Sequence, residues 1–176
     1  MRNTDGGAMK IPFVRQPDST EEKETNDSIA TVETLYRLDW DRTYPQSLEQ
    51  VWKAISDPEE ITAWMKFPTR LEPRIGGAIH IDFSSQGSLE GTVCNFEPPH
   101  LLIYTWGDSL LNRKLEADAT GTKLHCSHVG VRPELLSGLG AGWHAFLDQL
   151  EDHLTGNSRS SRYKDLKGRY ENAAKS

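Results

Sequence analysis

Apolar and polar residues alternate with the period of a strand through most of the chain's middle, and the spacing becomes helical at its start and end. Val32 to Tyr44 sets Leu35, Arg37 and Asp39 against Tyr36, Leu38 and Trp40, which predicts a strand that Pro45 ends. Ser47 then starts a helix with Gln50 as its capping-box partner, and Leu48, Val51, Trp52 and Ile55 share one face. Asp57-Pro58-Glu59-Glu60 opens a second, short helix that finishes near Trp64 and Met65, with Asp57 as cap and Pro58 at the first helical position. Pro58 holds Asp57 extended, so the two helices form a V rather than one rod.

A run of strands follows. Thr69 to Ile75 leads to a turn at Gly76-Gly77, and Ile79, Ile81 and Phe83 then alternate with His80, Asp82 and Ser84. After Gln86-Gly87-Ser88, strands are predicted at Leu89 to Phe96 and Leu101 to Trp106, separated by Pro98-Pro99. Leu111 to Ala117 and Thr122 to Val129 form a last hairpin around Thr120-Gly121. Pro133 and the glycines at 138, 140 and 142 read as a flexible lead-in to the final helix. In that helix Trp143, Phe146, Leu147, Leu150 and Leu154 oppose Asp148, Gln149, Glu151 and Asp152, and Gly156 stops it.

Strands joined by tight turns between short helices and one long helix predict an α+β antiparallel fold, a curved sheet of about six or seven strands covered by the last helix. The domain is expected over residues 31–156. Residues 1–30, which include the polar run Asp18 to Asp27, read as a disordered or extended tail. Residues 157–176 read as a second tail, in which Tyr163, Leu166 and Tyr170 can support a short helix.

Composition narrows the classes of function. The chain has 176 residues, 36% of them hydrophobic and 26% charged, and a net charge of −6. That charge disfavours nucleic acids and anionic lipid as partners, and no run of about 18 apolar residues predicts membrane insertion. The first residues lack the apolar core of a signal peptide, and neither Cys94 nor Cys126 lies in a CxxC pattern. A cytoplasmic protein with two buried free thiols is expected.

Five blocks in register resemble one family. They are Val51-Trp52 with Asp57-Pro58-Glu59 and Trp64; Glu72-Pro73-Arg74-Ile75-Gly76-Gly77; Gly91-Thr92-Val93 with Glu97-Pro98-Pro99 and Leu102 to Trp106; Gly121-Thr122-Lys123-Leu124 with His128-Val129-Gly130; and Gly142-Trp143 with Leu147, Leu150 and Leu154. Together they resemble the activator of heat-shock-protein-90 ATPase homologues, within the START-like and polyketide-cyclase superfamily. The resemblance implies a helix-grip fold with an apolar cavity between sheet and helix. It does not imply one activity, because the superfamily holds carriers, cyclases and chaperone co-activators.

On the family pattern, the sets Leu102, Tyr104, Trp106; Leu111, Arg113, Leu115; and Leu124, Cys126, His128 face the long helix. Trp64, Met65 and Phe67 close one mouth, and Trp143 and Phe146 line the helix side. The pocket residues expected are therefore Trp64, Phe67, Tyr104, Trp106, Arg113, Leu115, Cys126, His128, Trp143 and Phe146. Arg113 can meet a ligand carboxylate, or else snorkel to water or pair with Glu116 or Asp118. His128 can act as acid or base, or else sit as a hydrogen-bonded core residue. A metal site at His125 and His128 is disfavoured, since positions three apart on a strand face opposite ways. No nucleotide loop or hydrolase elbow is present, and no cofactor is expected.

These features predict a binding module for a small hydrophobic molecule, as a monomer or homodimer. The alternatives are a cyclase- or hydrolase-type enzyme using Arg113 and His128, and a co-chaperone acting on a protein partner through its outer surface.

Overall fold

A computed structural model describes residues 8–12, 34–158 and 163–173. The elements run β1 (Ala8–Pro12), β2 (Thr34–Tyr44), α1 (Leu48–Ser56), α2 (Pro58–Met65), β3 (Thr69–Leu71), β4 (Ala78–Asp82), β5 (Ser88–Glu97), β6 (Leu101–Trp106), β7 (Ser109–Asp118), β8 (Gly121–Val131), α3 (Leu136–Thr155) and α4 (Tyr163–Ala173). Among the described residues the strands form one eight-stranded sheet in the order β1-β2-β8-β7-β6-β5-β4-β3, with every neighbouring pair antiparallel. The sheet curls around α3, giving the helix-grip arrangement.

The local signals act where the sequence puts them. Ser47 and Gln50 form a reciprocal capping box, and the Asp57 carboxylate accepts the Glu59 and Glu60 amides at 2.9 and 3.2 Å. These caps fix the V of α1 and α2 over one end of the sheet. Trp40, Leu102, Tyr104, Leu115, Leu124 and Cys126 from the inner face of the sheet pack with Val51, Ile55 and Trp64 from the V and with Trp143, Leu147 and Leu150 from α3.

Four features differ from the sequence reading. Part of the stretch read as a tail, Ala8–Pro12, pairs with β2 as an edge strand; residues 1–7 and 13–30 lie outside the described residues. The strand expected to reach Ile75 stops at Leu71, where Pro73 and the turn at Gly76 intervene. The glycines at 138, 140 and 142 do not lead into α3 but lie within it, since the helix starts at Leu136. Cys94 is exposed, not buried: it follows the inward-facing Val93, at a bulge that shifts the register of β5 against β6.

The C-terminal helix explains Gly140. A Cβ there would lie 2.5 Å from the Tyr170 ring, so the bare backbone of α3 forms the seat for that ring. Leu166 packs against Ala141 and Ala145 beside it, and the Tyr170 hydroxyl accepts the Trp40 indole N–H at 3.0 Å. Thus α4 is anchored to both layers of the domain.

Candidate functional site

Four elements bring aromatic side chains to one end of α3. Phe67 follows α2, placed by Lys66 in the left-handed conformation at the helix terminus. Phe83 follows β4, Trp106 ends β6, and Trp143 and Phe146 are adjacent on the helix surface. The contacts close into a ring: Phe67–Phe83 at 5.0 Å between centroids, Phe83–Trp106 at 5.9 Å, Trp106–Trp143 at 5.1 Å, Trp143–Phe146 at 5.5 Å and Phe146–Phe67 at 6.2 Å. Most of these pairs are edge-to-face, the favoured arrangement for aromatic quadrupoles.

All five rings line a cavity of about 430 Å³, completed by Gln86, Gly138, Leu139, Gly142, Ala145, Gln149 and Tyr163. Gly138 and Gly142 are one helical turn apart and have open space where a Cβ would be. The cavity therefore runs down to the backbone of α3. Among the described residues, its walls contain no charged side chain.

Of the ten pocket residues expected, Phe67, Trp106, Trp143 and Phe146 line this cavity. Trp64, Tyr104, Arg113, Leu115, Cys126 and His128 do not: they are packed beneath it, each at most 2% exposed. The reason is volume. Trp40, Tyr44, Trp64, Tyr104 and Arg113 are among the largest fully buried side chains and fill the space between sheet and helix. Trp64 is fixed by its indole N–H donating to the Ala54 carbonyl at 2.8 Å. Burial pushes the Cys126 thiol up to about 12 and raises the Tyr104 phenol, so both stay protonated at neutral pH.

Arg113 is 1% exposed. It neither reaches water nor pairs with Glu116 or Asp118, which are engaged by Lys114 and Thr120. One guanidinium nitrogen donates to the Ile55 carbonyl at 3.1 Å and another to the Tyr104 hydroxyl. The guanidinium also lies over the Tyr104 and Trp143 rings, 5.1 and 5.7 Å from their centroids.

His128 packs against Trp106 with its Nε2 2.6 Å from Ser109 Oγ. A serine beside a histidine invites a nucleophile reading, but the proton bookkeeping opposes it. Ser109 donates to the Trp106 carbonyl at 2.7 Å, so its oxygen accepts from His128 Nε2–H. The serine proton is thus committed to the backbone. Burial lowers the His128 pKa to about 4, which keeps the ring neutral. His125 faces the other side of the sheet, between Asp41 at 2.8 Å and Asp39 at 3.1 Å, so the two histidines diverge.

Sequence reasoning missed Phe83 and most of the helix wall. Phe83 had a signal, since it continues the inward alternation of Ile79 and Ile81. Leu139, Gly142 and Gln149 also had one, at three or four residues from Trp143 or Phe146. Tyr163 had none, because only the docking of α4 brings it to the cavity.

The profile of the family described as activator of Hsp90 ATPase homolog 1-like protein matches residues 45–155. The chain belongs to that family. The match spans the whole block from the V of helices to the end of α3, and so includes every side chain of the aromatic ring. Protein MLL2253 from Mesorhizobium loti is a similar solved structure, 26% identical with a TM-score of 0.64, covering 70% of this chain and 99% of its own. CalU16 from Micromonospora echinospora has a TM-score of 0.72 at 19% identity and covers 97% of this chain and 99% of its own. Protein EF2215 from Enterococcus faecalis has a TM-score of 0.68 at 14% identity, covering 78% and 83%. The latter two are similar in fold. No protein of curated function is significantly similar to this family member.

Proposed function

We propose that this START-like domain binds a small, mostly apolar molecule with an aromatic system in the cavity at the end of α3. The observation that carries the reading is the closed ring of five aromatic side chains around about 430 Å³, four of which are left partly exposed. Apolar concave sites with a few polar groups are the usual form of small-ligand pockets. Burying such rings against a planar guest returns roughly 25 cal/mol for each Å² taken from water. The polar groups available to orient the guest are Gln86, Gln149 and the Tyr163 hydroxyl.

The role is that of a carrier or receptor. Arg113 and His128, the pair that would polarise a substrate, lie outside the cavity wall, and the Ser109 proton is taken by a carbonyl. A reducing, cytoplasmic setting suits the two free thiols.

The test is a titration with naphthol, followed by quenching of tryptophan fluorescence and by the rise in Tm. Saturable quenching with a stabilisation that follows ligand concentration is expected, weakened by about tenfold or more in Trp106→Ala and Phe146→Ala. Absence of both signals across a panel of naphthol, flavonoids and fatty acids would overturn the reading and favour action through a protein partner.

A further inference from the structure

The positive charge beneath the aromatic ring is unbalanced. Arg113 has two ring faces, a carbonyl and a phenol around it, but no carboxylate within ion-pair distance among the described residues. The other buried arginine, Arg42, does have one, Asp148 at 4.0 Å. The titratable neighbours add no negative charge at neutral pH, since burial keeps Tyr104 and Cys126 protonated and His128 neutral. A buried cation is normally paired, because the low-permittivity interior makes an isolated one costly.

Two unpaired groups here are donors, while the unpaired His128 Nδ1 is an acceptor, since Nε2 carries the ring proton. Arg113 Nε and Trp143 Nε1 are buried without a partner, and both are donors only. The Trp143 indole joins the two regions, because its ring lies under the guanidinium while the residue also lines the cavity. The unpaired Gln149 carbonyl in the wall belongs to an amide that can present either its oxygen or its nitrogen.

We infer that the ligand of this cavity is an aromatic molecule bearing an anionic group, selected by the buried charge of Arg113 acting across the Trp143 indole. This rests on the cavity being a ligand site. At the effective permittivity of a protein interior, a unit charge on the order of 10 Å away favours an anion over its uncharged isostere by about tenfold. The net charge of −6 pulls the other way, since it attracts cations to the surface. A preference for anions is therefore a signature of the interior charge and not of the surface.

Naphthylacetate, uncharged naphthylacetamide and the naphthylmethylammonium ion separate these effects on one ring system. On the full chain, naphthylacetate is expected to bind at least about tenfold more tightly than the ammonium ion. High salt leaves that gap in place, because buried charges are poorly screened. The gap is expected to collapse in Arg113→Met and to survive in Arg113→Lys. Equal affinities, a preference for the cation, or a gap that persists in Arg113→Met would overturn the inference while leaving an aromatic cavity intact. Failure of all three compounds to bind would instead remove the cavity reading, and this inference with it. Should Arg113→Met not fold, the wild-type series at low and high salt and the lysine variant still decide.

Discussion

The space under α1 and the ring at the end of α3 are built from the same kinds of residue and reach opposite states. Under α1, Val51, Ile55, Trp64 and Leu115 are sealed to 2% exposure or less. At the ring, Phe67, Phe83, Trp106 and Phe146 keep part of their surface in solvent. Both regions have aromatic side chains, so aromatic content does not make the site. The difference lies in what covers the rings: the V of α1 and α2 closes one region, while Gly138 and Gly142 leave gaps between the side chains of the facing helix surface at the other.

The largest expected contrast is between two tryptophans. Trp64→Ala should cost about 3–5 kcal/mol in urea unfolding, because it empties a packed site and orphans the Ala54 carbonyl. Trp106→Ala should cost far less, about 1 kcal/mol, while removing most ligand affinity. Equal losses of stability would mean that the ring is packed as tightly as the core.

His128 is buried against Trp106, at the base of the ring. Its pKa is about 4 in the fold and about 6.5 when unfolded, so its neutral burial supports stability above pH 6.5. That support is lost as the pH falls from 6.5 through 4, because the unfolded chain takes up the proton first, and it amounts to about 3 kcal/mol. Acid titration of Tm should show this slope in the wild type and a flatter one in His128→Gln.

The glycines of α3 sharpen the comparison further. Gly140→Ala should destabilise by about 1–3 kcal/mol, since its methyl group meets the Tyr170 ring, and it should loosen α4. Gly138→Ala should instead stabilise by about 0.5–1 kcal/mol through helix propensity, yet weaken ligand binding by filling the cavity floor. A stabilising Gly140→Ala, read by thermal unfolding, would break the anchored-helix account.

The smallest effect belongs to the latch between the V and α3. Glu60 accepts from Lys53 and pairs with His153 at 2.8 and 2.7 Å, and these partners hold its carboxyl below the usual range. A depressed carboxyl stabilises the fold above its unfolded pKa and ceases to do so as the pH falls through the folded value. Glu60→Gln should therefore lower Tm slightly at neutral pH and make no difference at strongly acidic pH.

Much of this was readable in the chain. The caps at Ser47 and Asp57, the alternation in the strands and the stripe of Trp143, Phe146, Leu147 and Leu150 carry local signals, and the structure follows them. The opposed faces of His125 and His128 follow from the same period of two. The site was less legible. Tyr104, Arg113 and Cys126 point inward as expected, but an inward residue lines a cavity only where its neighbours fail to fill the space. Gly140 shows the same limit: at the level of sequence a glycine in that place weakens a helix, and only the Tyr170 ring gives it a purpose.

The sequence by itself determined the elements, their order and which face of each is apolar, because propensity, capping and periodicity act over a few residues. Tertiary structure alone decided where the apolar surface stayed open. That outcome depends on summed volumes across the sheet, the V, α3 and α4, and on a helix seat that brings Tyr163 over the cavity. It also decided that Arg113 lies buried with no carboxylate beside it among the described residues, which no spacing along the chain records.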